Sequence, residues 1–331
     1  MKLHSALRGM LAVAFAMVAL QAHAGRWEFG FYNNPTDGAI TRGWEVYIPT
    51  NYNPATPTPM VVALHGCAQT PQTFNSSSRW TALAEQRNFI VLFPAQATIA
   101  NPSLCWNWYS PTNQMRGYGE PAVVKGMVDV IKSRFNIDGR RVYSTGISAG
   151  AALSAIMAAC YSDVFAASAV HSGPMYKAAT TLIGSTNAMF GFYQASADST
   201  GYQAWQCSGS PNRQMPMMVF QGQSDSVVNK VNGDQVIKQF AQVNDYGDDR
   251  SNNNSVVAPA RSYSAIYPGS GKHSYYLEKV TKNGKDILVQ YRVNGMGHAW
   301  SGGAGGSLNF ADAAGPDATT IMYNWFLTHS R

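Results

Sequence analysis

A serine between two glycines is the first residue whose surroundings indicate chemistry. Residues 146–150 read GISAG, which places Ser148 at the centre of a G-x-S-x-G pattern. A serine hydroxyl is a weak nucleophile until a base removes its proton, so the pattern predicts catalysis only together with a histidine and an acid. The chain contains 30 glycines, and the pattern by itself also fits an ordinary glycine-rich loop.

The histidine that best meets this requirement is His298. It lies in the stretch NGMGHAWSGG, directly after the apolar run ILVQYRVN. A packing histidine in a glycine-rich loop is the alternative interpretation. His65 follows the run MVVAL and is predicted to orient the adjacent backbone, whereas His171 ends another apolar run and is interpreted as structural.

Asp225 is the predicted acid of the group. It lies in VFQGQSDSVV, a few residues after the apolar run MPMMVF. An acid in this role accepts a hydrogen bond from the imidazole N–H, selects its tautomer and stabilises the imidazolium. Four later aspartates are interpreted as solvated surface charges: Asp234, Asp245, Asp248 and Asp249.

The elements that must position these residues alternate along the chain. Continuous apolar runs such as MVVALHG and FIVLFPA predict strands buried on both faces of a parallel sheet. Segments such as EPAVVKGMVDVIKSRF and SSRWTALAEQRN have helical spacing, whereas residues 172–214 lack strong periodicity and are predicted to be an excursion covering part of the site. The alternation predicts an α/β fold with a mostly parallel central sheet and helices on both faces.

Ser148 is well placed within this pattern, because a strand precedes it and a helix of small residues, AGAALSAIMAAC, follows it. In that setting the chain order Ser148, Asp225, His298 is the order of a catalytic triad in the α/β-hydrolase fold. The backbone N–H of Ala149, directly after the nucleophile, is the first predicted oxyanion donor. The loop after ALHG offers the second, most simply the N–H of Cys67.

The N-terminal residues have the pattern of a secretory signal peptide. Lys2 and Arg8 precede or flank the apolar run GMLAVAFAMVAL, and the sequence AHA ending at Ala24 fits a cleavage site. We predict that residues 1–24 are removed and that the protein is secreted, to the periplasm or the medium; a retained anchor is the alternative. No later run is long enough to cross a membrane, and residues 25–331 are predicted to form a single catalytic domain.

Composition and motifs exclude several other classes. The net charge of +6 is scattered, without a basic run, so no nucleic-acid partner is predicted. The chain has no G-x-G-x-x-G after its first strand, no P-loop and no spacing of metal ligands, so neither a cofactor nor a metal is predicted. No feature of the sequence indicates an oligomeric state.

The four cysteines predict disulfides, because none forms a C-x-x-C pair. Three pairings are possible. Cys67 and Cys105 both follow strands at one edge of the predicted sheet, whereas Cys160 ends the helix after Ser148 and Cys207 precedes a strand at the opposite edge. Bridged Cα atoms must lie within about 7 Å, which favours Cys67–Cys105 and Cys160–Cys207.

At these segments the chain resembles the esterase branch of the poly(3-hydroxybutyrate) depolymerase family, which is related to bacterial feruloyl and acetylxylan esterases. The resemblance spans about residues 40–328 and rests on LHGCAQT, LCWNWYSP, GISAGAALS, CYSDVFAASAVHSG, QGQSDSVV and GMGHAWSGG. It implies the same fold, the same triad and the same two oxyanion amides. It also implies that Trp300 packs along the acyl side of the substrate.

The leading functional interpretation is a secreted serine carboxylesterase that cleaves short-chain polyesters of 3-hydroxy acids, or their oligomers, through an acyl-enzyme. Trp106, Trp108, Tyr109 and Trp300 are predicted to line an aromatic substrate cleft. Secreted depolymerases of this family often carry a polymer-binding module, which the sequence up to Arg331 does not show. We therefore expect action on amorphous polymer, oligomers or small esters rather than on crystalline polymer.

Two alternatives stay open. An esterase that removes feruloyl or acetyl groups from plant polysaccharide would use the same chemistry, and an aromatic cleft suits a phenolic ring as well as a polyester chain. A non-catalytic binding protein on a hydrolase fold is the second, and it would be expected to have lost part of the triad or its glycines, which this chain keeps.

Overall fold

A computed structural model describes residues 25–259, 264–305 and 310–331, and the predicted signal peptide lies outside these residues. Their central feature is a sheet of nine strands. The strands are β1 (Arg26–Tyr32), β2 (Arg42–Ile48), β3 (Thr58–Leu64), β4 (Ile90–Pro94), β5 (Ile137–Ile147), β6 (Ala167–His171), β7 (Met217–Gly222), β8 (Tyr275–Lys282) and β9 (Lys285–Val293). Two further strands, β10 (Trp300–Ser301) and β11 (Ala311–Asp312), pair with each other.

The spatial order of the sheet is β1-β2-β4-β3-β5-β6-β7-β9-β8. The strands from β4 to β9 in this order run parallel to one another. Antiparallel pairing is confined to the two margins, where β1 pairs with β2, β2 with β4, and β8 with β9. The prediction of a mostly parallel sheet is confirmed.

The helices fill the connections between the strands. They are α1 (Pro71–Ser78), α2 (Trp80–Arg87), α3 (Gly119–Arg134), α4 (Ala149–Cys160), α5 (Leu182–Phe190), α6 (Ala197–Cys207), α7 (Val231–Asp249) and α8 (Ala318–Phe326). The predicted segment SSRWTALAEQRN contains a break, because Arg79 adopts a left-handed φ of 62° between α1 and α2. No helix among the residues described here has both the length and the apolar character needed to span a membrane.

Helices α5 and α6 lie in the region where the sequence shows no periodicity. In α5 the buried side chains are the small Ser185 and Ala188, whereas the large Leu182 and Ile183 are exposed. The usual apolar stripe that marks a core-facing helix is therefore absent from this segment.

Both faces of the sheet are buried. Along β3, Met60, Val62 and Leu64 pack into one core with α3 and α4, while Val61 and Ala63 pack into a second core with α2 and α8. This burial on two faces explains the unbroken apolar run in the sequence. It also confirms that helices cover both faces of the sheet.

The carboxyl ends of the parallel strands bring the candidate site together. β5 ends one residue before Ser148, β3 ends at Leu64 before the predicted oxyanion loop, and β7 ends three residues before Asp225. Ends of parallel strands meet at the same edge of a sheet, which is where open α/β folds place their sites.

Candidate active site

Ser148 occupies a strained turn between β5 and α4. Its backbone has φ 57° and ψ −122°, a region that residues with a side chain rarely adopt. A methyl group on Gly150 would lie 2.3 Å from the carbonyl oxygen of Leu64, and one on Gly146 would lie 2.5 Å from the Gly150 carbonyl. Glycine at both positions therefore lets β3 and α4 close around the serine.

His298 and Asp225 are in direct contact. Their Nδ1 and Oδ2 atoms lie 2.9 Å apart, and the Asp225 side chain is fully buried. The other carboxylate oxygen accepts hydrogen bonds from the backbone N–H groups of Val227 and Val228, at 2.9 and 2.8 Å. A carboxylate held in this way keeps the proton of His298 on Nδ1, which leaves Nε2 as the acceptor for a substrate or nucleophile proton.

His171 joins the serine segment to the histidine segment. Its carbonyl oxygen accepts the Ser148 N–H at 3.1 Å, and its ring Nε2 accepts the Ser301 N–H at 3.0 Å, three residues beyond His298. Burial lowers the pKa of His171 to about 3, so the ring stays neutral and can accept this bond. The geometry agrees with the structural role predicted from sequence.

The acid and histidine loops are also tied to each other. The Gln223 N–H donates to the carbonyl of Val293 at 2.9 Å, and the Ser224 N–H donates to that of Met296 at 3.0 Å. These bonds connect the loop after β7 with the loop after β9. Backbone hydrogen bonds therefore fix the position of the segment carrying Asp225 relative to the segment carrying His298.

The two predicted oxyanion amides belong to segments that pack against each other. Ala149 is the first residue of α4, and a methyl on Gly150 would lie 2.4 Å from the His65 carbonyl. Among the described residues, the N–H groups of Ala149 and Cys67 donate to no protein acceptor. Donors left free at a helix N-terminus and in an adjoining loop can bind a developing oxyanion.

His65 holds the loop that carries Cys67. Its Nδ1–H donates to the Gly66 carbonyl at 2.8 Å, and its Nε2 accepts the Gln96 N–H at 3.1 Å. Burial lowers the pKa of His65 to about 4, because the charged ring would have lost its hydration. The neutral ring thus holds the loop through two hydrogen bonds, in agreement with the role predicted from the sequence.

A buried polar network that the sequence did not predict supports the His65 ring and its loop. The carboxylate of Glu120, fully buried in α3, accepts hydrogen bonds from Gln96 Nε2 at 2.6 Å and from the Asn107 N–H at 2.7 Å. Gln96 also donates to the Cys105 carbonyl at 2.9 Å and accepts from the buried guanidinium of Arg42 at 2.7 Å. Burial raises the pKa of Glu120, which its hydrogen bonds only partly offset. The available signal was an acidic residue, Glu120, directly before the apolar stretch PAVV in the first turns of α3.

Two disulfides are present in the structure. Cys67 is bonded to Cys105 with Cα atoms 4.2 Å apart, and Cys160 is bonded to Cys207 with Cα atoms 4.6 Å apart. These are the pairings that the sequence argument favours. The first bond fastens the predicted oxyanion loop to the segment beginning at Cys105.

The predicted aromatic cleft is wrong for its three tryptophans. Trp300 and Trp106 have no exposed surface, and Trp108 is 4% exposed. Trp300 stacks on His171 and donates its indole N–H to Thr319 at 2.9 Å, while the Trp106 indole donates to the His65 carbonyl at 3.1 Å. The indole N–H groups of Trp300 and Trp106 therefore each find a buried acceptor, and burial of all three side chains removes their apolar surface from water.

Tyr109, the fourth predicted aromatic contact, is only partly buried and packs edge-on against Trp108. It lines a surface cavity together with Ile99 and Ser110. Its contact with substrate stays a prediction.

One of the aspartates interpreted as surface charges is buried. Asp245 is 1% exposed, and its carboxylate accepts the N–H groups of Ser255, at 2.5 Å, and Val256, at 3.2 Å. It closes the loop after α7, a role that only the folded structure reveals.

Within the part of the chain described, no cluster of three or more histidine, cysteine or acidic side chains could hold a metal ion.

Comparison with known proteins identifies the relatives of this chain. The sequence model of the family described as esterase PHB depolymerase matches residues 43–258. Poly(3-hydroxyalkanoate) depolymerase C of Paucimonas lemoignei is 34% identical over 78% of this chain, which corresponds to 58% of that protein. Feruloyl esterase B of Neurospora crassa is 28% identical over 76% of this chain and 81% of that protein. This chain therefore spans less than two thirds of the Paucimonas relative.

Solved structures agree on the fold. Acetyl xylan esterase from Aspergillus awamori superposes with a TM-score of 0.69 over 90% of this chain and 98% of that chain, at 23% identity. A thermostable esterase superposes with a TM-score of 0.52 over 92% of this chain, at 15% identity. The α/β-hydrolase prediction is confirmed, and so is the family resemblance. Because the family model matches residues 43–258, which is more than half of this chain, the chain belongs to the esterase PHB depolymerase family and is a serine carboxylic ester hydrolase.

Proposed function

We propose that the protein is a secreted carboxylesterase that hydrolyses short-chain polyhydroxyalkanoates of the poly(3-hydroxybutyrate) type, or their oligomers. The observation that carries the catalytic part is the 2.9 Å contact of His298 with the buried Asp225, in segments joined to the strained Ser148 turn. The substrate class is supported by the 34% identity to a protein named poly(3-hydroxyalkanoate) depolymerase C.

In the proposed reaction, Ser148 Oγ attacks the ester carbonyl carbon while His298 Nε2 takes the hydroxyl proton. Asp225 stabilises the imidazolium through its bond to Nδ1. The oxyanion accepts hydrogen bonds from the N–H groups of Cys67 and Ala149, near the positive end of the α4 dipole. The intermediate expels the alcohol, which receives the proton from His298, and leaves Ser148 acylated.

A water molecule then completes the cycle. His298 removes a proton from the water as it attacks the acyl-enzyme, a second oxyanion forms at the same two amides, and the acid product leaves as the proton returns to Ser148. The same residues serve both halves of the reaction, because both pass through a tetrahedral oxyanion.

The predicted signal sequence and the two disulfides support secretion. Disulfides persist in oxidising compartments, and both bonds here lie within the part of the chain that follows residue 24.

Cleavage of feruloyl or acetyl esters of plant polysaccharide is the second candidate. It is favoured by feruloyl esterase B of Neurospora crassa, of which this chain covers 81%. The chemistry at Ser148 would be unchanged, and only the group bound beside it would differ.

A substrate panel separates the two candidates. Turnover is compared on 3-hydroxybutyrate trimer, amorphous poly(3-hydroxybutyrate) film, p-nitrophenyl butyrate, methyl ferulate and acetylated xylan, with the Ser148→Ala protein as the blank. We expect the highest kcat/KM on the hydroxybutyrate esters. Turnover of methyl ferulate or acetylated xylan with none on any hydroxybutyrate ester would transfer the protein to the second candidate.

A further inference from the structure

A group of large apolar side chains is exposed on and just after α5. We call it the α5 patch, and it consists of Leu182, Ile183, Phe190, Phe192 and Tyr193. Ile183 is 77% exposed and Phe192 is 81% exposed, and the rings of Phe190 and Phe192 have centroids 5.9 Å apart. Ile183 and Phe190 are seven residues apart and so lie on one helix face, about 10 Å apart along the axis.

The patch carries no charge. The chain from Ala178 to Ala197 contains no lysine, arginine, aspartate or glutamate, although charged residues flank it on both sides. Single exposed apolar residues are normal on a protein surface, but a contiguous group of this size indicates an interaction site. Its neutrality favours a partner without charge.

The patch is fastened to the loop that carries the catalytic acid. The Asn229 N–H donates to the Met189 carbonyl at 2.7 Å, and the Asn232 side chain donates to the Ala188 carbonyl at 3.0 Å. The same loop begins at Asp225 and contains Val227, which is exposed and whose N–H donates to the Asp225 carboxylate. The end of α5 is therefore fastened to the segment that follows the proposed catalytic acid.

We propose that the α5 patch adsorbs the enzyme to a solid, uncharged aliphatic polyester and so presents polymer chains to Ser148. This inference rests on the proposed function. Such a polymer offers methyl and methylene groups and ester oxygens but no charge and no hydrogen-bond donor, and the patch offers apolar surface of the same neutral kind. Adsorption beside the acid loop holds a polymer segment within reach of the nucleophile.

The test measures adsorption without turnover. Ile183→Ser and Phe192→Ser are combined in the Ser148→Ala protein, and binding isotherms are recorded on poly(3-hydroxybutyrate) film. We expect the adsorption constant to fall about tenfold or more, because large apolar anchors carry most of the binding at such surfaces. In the catalytically active protein, the ratio of film hydrolysis to p-nitrophenyl butyrate hydrolysis should fall by a similar factor.

A matched control is available on the opposite part of the sheet. Phe29 and Phe31 on β1 are 63% and 80% exposed, and six strand spacings separate β1 from β7, about 29 Å. Phe29→Ser with Phe31→Ser removes the same kind of surface, and we expect its adsorption constant to stay within about twofold of the parent. Melting temperatures of both double variants establish that they are folded.

Several results would overturn the inference. Undiminished film adsorption of the patch variant is one, and an equal loss in the β1 control is another. Patch-dependent binding to phosphatidylcholine vesicles without film adsorption would assign the surface to lipid, and a patch-dependent dimer in sedimentation would assign it to a second copy of the chain. Patch-dependent film adsorption by a protein that hydrolyses no hydroxybutyrate ester would contradict the proposed function alone.

Discussion

Ser148 is held where it is by its neighbours rather than by its own preference. A non-glycine residue in this backbone region costs on the order of 1–3 kcal/mol, and the cost is tolerated only where the surrounding structure imposes it. Here Gly146 and Gly150 allow β3 and α4 to approach, and the Ser148 N–H is used in a bond to His171. The Ser148 backbone is thereby fixed at the start of α4.

Replacing the nucleophile should remove the activity and leave the fold. In Ser148→Ala we expect ester hydrolysis to fall by about 10⁴-fold or more, because the serine acts as one unit with its base. The measurement is kcat/KM on p-nitrophenyl butyrate together with the melting temperature. Ser133→Ala, an exposed serine on α3, is the control and should keep full activity. A folded Ser148→Ala protein with normal turnover would show that the nucleophile lies elsewhere.

At the scale of elements, the proposed oxyanion loop depends on two separate supports. The disulfide from Cys67 to Cys105 restrains it covalently, and the chain of bonds from Glu120 through Gln96 to His65 restrains it from beneath. Both supports end on the segment 65–67, so both should act on catalysis through the position of one amide.

Removing the first support should reduce turnover more than binding. For Cys67→Ala combined with Cys105→Ala we expect kcat to fall about tenfold or more with a smaller change in KM, since the Cys67 amide contributes mainly in the transition state. Cys160→Ala with Cys207→Ala removes the disulfide at the opposite edge and should lower the melting temperature while kcat changes little. Equal kcat losses in the two double variants would mean that the first bond has no special role in the loop.

Removing the second support should be costly to stability. Glu120→Ala removes the buried carboxylate that accepts hydrogen bonds from Gln96 and Asn107, and each buried donor left unsatisfied costs about 1–3 kcal/mol. Urea denaturation measures the free energy of unfolding. Asp129→Ala, on the exposed side of the same helix, removes only a surface pair with Lys125 and should change it by less than about 1 kcal/mol. Similar losses in the two variants would contradict the importance of the network.

The whole molecule should lose stability as the pH falls through the mildly acidic range. Burial lowers the pKa of His65 to about 4, of His171 to about 3 and of His329 to about 4, against 6.5 in the unfolded chain. Between pH 6.5 and about 4 the unfolded chain therefore binds more protons, so stability present above pH 6.5 declines as the pH is lowered. Glu120 opposes this trend, because its pKa is raised by burial.

Urea midpoints recorded from pH 7 to pH 5 measure this dependence. We expect the urea midpoint to decline steadily as the pH is lowered. His329→Gln removes one titrating ring away from the proposed site, and it should reduce the pH dependence of the unfolding free energy by an amount that corresponds to at most one bound proton. A midpoint that does not change over this range would contradict the burial of the three rings.

The sequence by itself predicted most of the strands and helices, though not α5 and α6, together with the candidate triad and the favoured disulfide pairs. These follow from local periodicity and from the rule that the ends of parallel strands share one edge, so Ser148, Asp225 and His298 could be placed together from chain order. The shared edge explains why the side chains of Asp225 and His298 are close enough to form a hydrogen bond.

Only the tertiary structure decided which side chains meet water. Trp300 looked like a substrate contact because it follows His298, yet a stack on His171 and a bond to Thr319 bury it. Phe192 lies in a segment whose lack of periodicity gave no prediction of burial or exposure, and the structure shows that its large ring is exposed. Burial depends on residues far apart in the sequence that come into contact, and no local pattern encodes those contacts.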